Sequence, residues 1–210
     1  MAKPRLLDLF CGAGGAGMGY SRAGFEVVGV DIEPQPNYPF TFHQADAMDE
    51  NLWFEFDAIH ASPPCQAFTA YKRRGDGVGS GYPNLIPELR AALKATELPY
   101  VIENVPGAPL ENPVQLCGSA FGLGVRRHRL FETNFPLMVP PCAHGLQQGD
   151  YPQATNRTNR RKTCEVGVWR IPLADQQAAM DINWMTLDEL TEAIPPAYTE
   201  YIGAQLLEAL

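Results

Sequence analysis

The sequence predicts an α/β fold: a Rossmann-like sheet with helices on both faces and a small irregular insert. Helical segments alternate with short apolar segments, which indicates strands buried in an open sheet. A glycine-rich turn follows the first predicted strand and enters a helix, as in the first unit of a nucleotide-binding sheet. We expect three regions: a main domain, an insert, and C-terminal helices that pack back on the main domain, at residues 1–134, 135–170 and 171–210.

Length and composition indicate a soluble protein of the cell interior. The chain has 210 residues, a net charge of -8 and five cysteines. An odd number of scattered cysteines, and no charged-then-apolar leader after Met1, favour reduced thiols and a cytoplasmic location. No apolar run approaches the ~18 residues that a membrane span needs, so we expect no membrane contact.

Basic residues are concentrated in two segments that could bind phosphate. Residues 126–162 contain seven basic and two acidic side chains, including Arg157, Arg160 and Arg161. Lys72, Arg73 and Arg74 begin a glycine-rich segment at 70–82 that we predict to be a mobile lid over a polyanion. Solvated charge and an ordinary flexible loop are the alternatives.

The first glycine-rich turn predicts a nucleotide site. Glycines at positions 12 and 14 allow close backbone approach to a ligand, and the following helix start favours negative charge. Asp31 ends the second strand nineteen positions beyond Gly12, which suits a carboxylate that binds ribose hydroxyls. Asp46 follows a third strand and could accept a hydrogen bond from an adenine amino group. At this point NAD is also a candidate, because Gly12, Gly14 and Gly17 fit the dinucleotide pattern.

Cys65 is the predicted nucleophile, and Glu103 is its predicted partner. Two prolines precede Cys65 and hold it extended after a buried strand. Such a thiol reacts with carbon if its pKa is lowered, or if a partner activates the electrophile instead. Glu103 lies at the carboxyl end of another buried strand, where burial would raise its pKa and make it an acid.

Two further predictions concern the middle of the chain. A strand at residues 125–132 would place Arg127 and Arg129 on one face, as a clamp for phosphate or carbonyl groups. Residues 115–122 are expected to form a short helix. The spacing of Cys142, His144 and Cys164 matches no common structural zinc pattern, so we predict no metal site.

Four of these motifs together resemble the cytosine-C5 DNA methyltransferase family, in order and spacing, over residues 6–131. The short chain and reduced target-recognition insert resemble a compact form, such as a phage or mobile-element enzyme. The motifs are Asp8-Leu9-Phe10-Cys11-Gly12-Ala13-Gly14-Gly15, Ser62-Pro63-Pro64-Cys65-Gln66, Glu103-Asn104-Val105 and Arg127-His128-Arg129.

The resemblance implies S-adenosylmethionine as cofactor and residues 1–134 as the catalytic domain that binds it. Phe10 would stack near the adenine, with Gly12 and Gly14 beside the methionine moiety. Asp31 and Ile32 would hold the ribose and adenine, and Asp46 the adenine amino group. The residues expected to contact nucleic acid are Gln66, Lys72, Arg73, Arg74, Asn104, Arg157, Arg160 and Arg161.

The implied reaction is methyl transfer to C5 of a cytosine flipped out of double-stranded DNA. Cys65 would add to C6, Glu103 would protonate N3, and Arg129 would bind O2, with Arg127 on O2 or a nearby phosphate. The chain departs from the family pattern at Val125, where Gln is usual, and at Ala204, where Asn is usual. The reduced insert suggests a short recognition sequence, or a protein partner or oligomer that supplements recognition.

Three alternatives remain open from the sequence. The same chemistry could act on a tRNA cytosine, as in the family's RNA-methylating branch. A non-catalytic DNA-binding subunit is a second alternative, although such a protein has no need of both Cys65 and Glu103. NAD-dependent oxidoreduction is the third, and it leaves Cys65, Glu103 and the two arginines without roles.

Overall fold

A computed structural model of the chain describes residues 2–68, 83–153 and 160–210, and it confirms the predicted α/β fold. Seven strands form one sheet in the order β3-β2-β1-β4-β5-β7-β6. Strands β1 to β5 are parallel, whereas β7 is antiparallel to both β5 and β6. The strands are β1 Arg5–Leu9, β2 Glu26–Asp31, β3 Thr41–Gln44, β4 Ala58–Ala61, β5 Tyr100–Asn104, β6 Val114–Leu116 and β7 Arg129–Thr133.

Five α-helices accompany the sheet in the described ranges. The fourth helix begins with a capping box, in which the Thr186 hydroxyl accepts from the Glu189 amide and the Glu189 carboxylate accepts from the Thr186 amide. No helix within the described residues is both long and apolar enough to cross a membrane. The helices are α1 Gly15–Ala23, α2 Ile86–Ala95, α3 Leu173–Met180, α4 Leu187–Glu192 and α5 Pro196–Ala209.

Strands β4 and β5 bring the two predicted reactive residues to the same edge of the sheet. Their parallel register pairs Ile59 with Tyr100 and Ala61 with Ile102, so both strands end at nearly the same level. All five residues of β5 are buried. Ligands of open α/β sheets bind at the carboxyl ends of strands, and Cys65 and Glu103 both lie there.

Several glycines near the first turn serve helix packing. A Cβ atom at Gly19 would lie 2.1 Å from Thr199 Oγ1, and one at Gly15 would lie 2.4 Å from the carbonyl oxygen of Ile194. Thr199 also donates a hydrogen bond of 2.8 Å to the Ala16 carbonyl. Only glycine therefore lets α5 and the residues before it approach α1 this closely.

The predicted insert contributes to a third apolar cluster beside the two that cover the sheet. The cluster joins Cys164 and Val166 of the insert to Val125 and to Met180 and Met185 near α3. Most of the insert is irregular, apart from a pair of two-residue strands, β8 Tyr151–Pro152 and β9 Arg160–Arg161. The boundaries at 134 and 170 stay predictions.

Two predicted elements are wrong. Residues 115–122 form the end of β6 followed by a 3-10 turn at Gly118–Phe121, because the Gly118 amide donates 2.7 Å to the Arg126 carbonyl and closes a loop. The strand predicted from Val125 begins only at Arg129. Arg127 has φ of 38°, a left-handed conformation that interrupts a strand.

The side chain of Arg127 consequently does not share a strand face with Arg129. Its Nε donates 2.8 Å to the Ala193 carbonyl, and its Nη2 donates to the Thr191 and Leu190 carbonyls at 2.5 and 3.5 Å. These carbonyls lie at the end of α4, where a cation is favoured by the exposed C=O groups. Tyr198 of α5 donates to the Arg127 carbonyl at 2.9 Å. Arg127 thus links the loop that precedes β7 to the C-terminal helices.

We predict that Arg127→Lys lowers the free energy of unfolding by about 1–3 kcal/mol, because a lysine cannot reproduce the forked hydrogen bonds to α4. Urea unfolding measures the difference. The matched control is Arg126→Lys, since Arg126 is exposed and should change stability by less than about 0.5 kcal/mol. Equal effects of the two substitutions would contradict this role for Arg127.

Burial of Asp8 in the middle of β1 predicts a pH-dependent stability. Burial raises the pKa of Asp8 to about 8, and the Asp31 charge raises it further, against a hydrogen bond donated by Tyr38. The folded chain therefore keeps a proton that the unfolded chain releases near its ordinary pKa of 3.8. The contribution of Asp8 to the free energy of unfolding is therefore fully present below about pH 4 and is lost as pH rises toward 8.

We expect Asp8→Asn to remove this part of the pH dependence, because the amide is neutral throughout. Urea unfolding at pH 5 and pH 8 measures the free energy of unfolding of both proteins. The value for the variant, relative to that for the wild type, should increase as pH rises, by at most about 1.4 kcal/mol per pH unit. A constant difference between the two proteins at both pH values would mean that Asp8 is ionised in the folded chain.

Candidate active site

Cys65 is presented at the end of β4 by hydrogen bonds to neighbouring strands. The Ser62 amide donates 3.1 Å to the Leu9 carbonyl of β1. The Asn104 side-chain amide donates 2.9 Å to the Pro63 carbonyl, which ties the proline pair to β5. Cys65 then begins a turn in which its carbonyl accepts from the Phe68 amide at 2.8 Å. The thiol is half-buried, as a nucleophile reached by a substrate should be.

Glu103 and Arg129 form a buried ion pair beside Cys65. Arg129 Nε lies 3.0 Å from Glu103 Oε1, and the two side chains are 15% and 7% exposed. The contact lies off the hydrogen-bond direction, so Oε1 receives no hydrogen bond from the described part of the chain. A buried carboxyl oxygen in this state can serve a bound substrate.

Burial raises the pKa of Glu103, and this effect exceeds the opposing influence of Arg129, Arg127 and a hydrogen bond from Ser62. A raised pKa favours the neutral carboxylic acid, which can donate a proton. The expectation of an acid at this position therefore has a physical basis in the structure. Its role in a reaction stays a prediction.

A buried chain of hydrogen bonds leads to Glu103 from the core. The hydroxyl of Tyr20 lies 3.0 Å from His60 Nδ1, and His60 Nε2 lies 2.8 Å from the Ser62 hydroxyl. Burial lowers the pKa of His60 to about 3, so its imidazole is neutral. Tyr20 then donates to Nδ1, Nε2–H donates to Ser62, and Ser62 donates to Glu103. Sequence reasoning missed His60 and Ser62, although both lie within five residues of Cys65.

Cys65 could react either because its own pKa is lowered or because a partner activates the electrophile, and its surroundings favour one of these routes. Burial raises the pKa of the Cys65 thiol, Arg129 opposes this rise, and the charges of Glu103 and Glu192 add to it. The surrounding groups therefore do not stabilise a thiolate before a substrate binds. Activation of the electrophile by a proton donor is the route that this arrangement favours.

The glycine-rich turn is braced by Asp31. One carboxylate oxygen of Asp31 accepts from the Gly12 amide and the other from the Glu33 amide, both at 3.0 Å. Phe10 and Gly12 have positive φ values of 55° and 47°, so the chain turns sharply between β1 and α1. A carboxylate can accept further hydrogen bonds, so the predicted ribose contact of Asp31 remains open.

The turn has room for a ligand of the predicted kind. A Cβ atom at Gly12 would meet none of the described residues within 4 Å, so this side of the turn is open. Ile32 is 66% exposed just beyond Asp31, which leaves an apolar surface for an adenine ring. These features fit S-adenosylmethionine, which presents both a ribose and an adenine.

Gly14 and Asp46 have structural partners that the sequence did not reveal. Gly14 has φ of 83° and precedes α1, and a Cβ there would lie 2.7 Å from Pro39 Cδ. Gly14 is thus required by packing, whether or not it also borders a ligand. Asp46 is exposed, and its Oδ1 accepts from the Met48 amide at 2.9 Å. Its second oxygen is the one that could bind an adenine amino group.

A cavity of about 400 Å³ lies between residues 125–129, the arginine segment, and the insert. Its volume is within the range of small-molecule sites. Arg129 borders both this cavity and Glu103, so the cavity adjoins the site. Neither Cys65 nor Glu103 is among its lining residues, which are Val125, Arg126, Arg127, Arg129, Thr163, Cys164 and Val166.

The predicted nucleic-acid contacts fall into two groups in the described ranges. Arg160 and Arg161 are exposed and pair with Asp150 and Glu165. Exposed pairs of this kind are weak, so a phosphate could displace either carboxylate. Lys72, Arg73, Arg74 and Arg157 lie outside the described residues.

Asn104 and Gln66 lie closer to Cys65. Asn104 is buried, and its side chain bonds the Pro63 carbonyl and the Val105 amide at 2.9 Å each. Direct contact with nucleic acid would require its release from Pro63, so the structure gives it a positioning role. Gln66 is half-buried, directly after Cys65.

Comparisons with solved structures support the fold. An E. coli structure, described as a DNA modification methyltransferase encoded within a prophage, aligns with a TM-score of 0.63 at 16% identity, covering 98% of this chain and 99% of that chain. Spodoptera frugiperda DNMT2 aligns with the same TM-score at 14% identity, covering 97% and 99%. At these identities the likeness establishes the fold alone.

Comparisons of sequence establish the family. Type II methyltransferase M.HgiGI of Herpetosiphon aurantiacus is 31% identical over 120 residues, which cover 50% of this chain and 94% of that protein. M.HgiDI of the same organism is 29% identical over 132 residues, covering 56% and 42%, so the chain spans less than half of that relative. Residues 4–112, just over half of the chain, match the family model, and the chain therefore belongs to the C-5 cytosine-specific DNA methylase family.

Proposed function

We propose that this chain transfers a methyl group from S-adenosylmethionine to C5 of a cytosine in DNA, through a covalent bond between Cys65 and C6. The observation that carries the proposal is the placement of Cys65 beside Glu103, a buried acid with a raised pKa, at one edge of the sheet. Family membership and the type II methyltransferase relatives support DNA as the substrate.

The chemistry explains the residue types. C5 of cytosine is too weak a nucleophile to accept a methyl group directly. Cys65 therefore gives its thiol proton to solvent and its sulfur bonds to C6, while the ring π electrons shift toward N3. Glu103 gives its proton to N3 as this charge develops. C5 then has enamine character. After methylation, the C5 proton is lost to solvent, and its electron pair re-forms the C5–C6 double bond as the sulfur–C6 bond breaks. N3 returns its proton to Glu103, and the Cys65 sulfur regains a proton from solvent, which restores the free enzyme.

S-adenosylmethionine would supply the electrophilic methyl group, and its sulfonium would leave as a neutral thioether when the methyl–sulfur bond breaks. Gly12, Asp31 and Ile32 are the residues that we propose to hold it, with Phe10 near the adenine. Their positions at the carboxyl ends of β1 and β2 lie in the same layer as the end of β4, which precedes Cys65. A cofactor in the turn would therefore lie on the same side of the sheet as the cytosine.

Arg129 is the proposed donor to the cytosine O2. Its Nε lies against Glu103, and its Nη1 donates 3.2 Å to the His128 carbonyl. Nη2 carries further N–H donors that can point to a substrate oxygen. Arg127 binds the end of α4 instead. We therefore revise its proposed role from contact with O2 or phosphate to positioning of the arginine segment.

The target base must leave the duplex, because its C6 is inaccessible in a stack. Unstacking costs a few kcal/mol, which contacts to the pocket and the backbone offset. Arg160 and Arg161 are proposed to bind phosphate and so to contribute part of the binding free energy that offsets the cost of unstacking. The insert is short, so we also propose that a partner protein or a second copy of the chain helps to read the target sequence.

The role of Cys65 can be tested by replacing its thiol. Cys65→Ser should abolish methyl transfer while leaving S-adenosylmethionine binding nearly unchanged, because a serine hydroxyl is a far weaker nucleophile than a thiolate. Transfer of labelled methyl groups and calorimetry of cofactor binding measure the two effects. Substantial turnover by the serine variant would refute the role of Cys65.

Glu103→Gln should lower the rate of transfer by about 10²–10⁴, because an amide cannot give up a proton to N3. The reactive form needs an ionised Cys65 and a protonated Glu103 together, so the wild-type rate should pass through a maximum as pH rises. The rate of the glutamine variant should instead rise with pH to a plateau as Cys65 ionises. A wild-type rate that also rises to a plateau would exclude Glu103 as the acid.

The tRNA alternative uses the same residues, so a direct comparison of substrates is needed. Labelled-methyl transfer should proceed on duplex DNA that samples many sequences and should be at background on tRNA. Cys65→Ser is the matched negative control for both substrates. Transfer to tRNA alone would overturn the choice of DNA, and binding of DNA without transfer to either substrate would favour a non-catalytic subunit.

A further inference from the structure

Four metal-binding side chains converge about the loop that precedes β7. Cys117, His128, Cys142 and His144 each offer one ligand atom, and all four atoms lie within 4.8 Å of one another. They come from three separate segments: the end of β6, the arginine segment, and the beginning of the predicted insert. The proposed methyl transfer uses none of them.

The distances agree with a tetrahedral ion. Cys117 Sγ lies 3.2 Å from His144 Nε2, and Cys142 Sγ lies 3.5 Å from His128 Nε2. Zinc bonds of about 2.3 Å to sulfur and 2.0–2.1 Å to nitrogen place neighbouring sulfur and nitrogen ligands about 3.5 Å apart in a tetrahedron. Each cysteine is thus paired with a histidine at nearly the required separation.

Ser119 connects two of the segments that carry these four side chains. The hydroxyl of Ser119 lies 3.1 Å from Cys117 Sγ and accepts from the Ala143 amide at 2.9 Å. Ser119 therefore holds Cys117 beside the segment that carries Cys142 and His144. Such outer contacts orient the ligands of metal sites.

We propose that Cys117, His128, Cys142 and His144 bind one structural zinc ion. Two thiolates and two neutral imidazoles balance the charge of Zn²⁺ and suit its preference for sulfur and nitrogen. Four protein ligands leave no open position, so the ion has a structural role. His128 lies between Arg127 and Arg129, so the zinc ion would fasten the start of the insert to the segment that carries Arg129.

This proposal differs from the prediction of no metal site, which considered Cys142, His144 and Cys164. Cys164 lies in the third apolar cluster, and its thiol donates 3.6 Å to the Glu165 carbonyl. Cys117 and His128 replace it, and neither is near Cys142 in sequence. The common spacing patterns describe ligands on one short motif, so they do not detect a site that tertiary packing assembles.

The test measures zinc in the purified chain, expressed with zinc and without added chelator. The wild type should contain about one zinc ion per chain, and Co²⁺ should replace it with the intense visible absorption of tetrahedral thiolate coordination. Cys142→Ser should lose at least about nine-tenths of the metal. Cys142 is exposed, so this variant should fold, which circular dichroism checks. Cys164→Ser is the matched control and should keep its zinc.

The experiment does not depend on methyl transfer, so its result stands apart from the proposed function. A folded wild type without zinc and without a cobalt spectrum would overturn the site. Equal zinc content in Cys142→Ser and the wild type would overturn the ligand set. A Cys117–Cys142 disulfide, seen by mass spectrometry as the loss of two hydrogens in a metal-free chain, would show that the two thiols pair by oxidation instead.

Discussion

The buried pair of Glu103 and Arg129 is the interaction on which the site depends. An isolated carboxylate or guanidinium buried at this depth would lose the free energy of its hydration without compensation. Each of the two side chains offsets part of this desolvation penalty for the other. Burial nevertheless outweighs the neighbouring positive charges and raises the pKa of Glu103. The same burial raises the pKa of the Cys65 thiol. These two directions are what the proposed proton transfer from Glu103 to a substrate requires, and they do not favour a ready thiolate at Cys65.

The surrounding fold keeps these groups together through a few close contacts. Asn104 ties the Cys65 turn to β5, and the antiparallel pairing of β5 with β7 sets Glu103 opposite Phe131, two residues from Arg129. Arg127 attaches the preceding loop to α4, and the glycines of α1 let α5 pack against them. The proposed zinc ion would act on the same loop from the other side, through His128.

The sequence predicted those parts of the molecule that local patterns determine. Strand periodicity and the proline pair predicted the positions of Cys65 and Glu103, because side chains at the carboxyl ends of parallel strands share one edge. The conformation of Arg127 could not be predicted, since its left-handed φ depends on carbonyls of α4 some sixty residues away. His60 was likewise hidden, because a buried histidine resembles any core residue until its partners are known. The convergence of Cys117, His128, Cys142 and His144 was missed because tertiary packing alone brings these side chains together.

The central claim is that Cys65 bonds to a cytosine ring that Glu103 activates. Duplex DNA that contains 5-fluorocytosine tests it directly. Its C5 carries fluorine in place of the proton that must be lost, so the sulfur–C6 bond cannot be cleaved after methylation. In the presence of S-adenosylmethionine, mass spectrometry should find the modified nucleotide on the peptide that carries Cys65, and Cys65→Ser should form no adduct. A wild-type chain that binds this DNA and the cofactor yet forms no adduct, or forms one at another residue, would contradict the account.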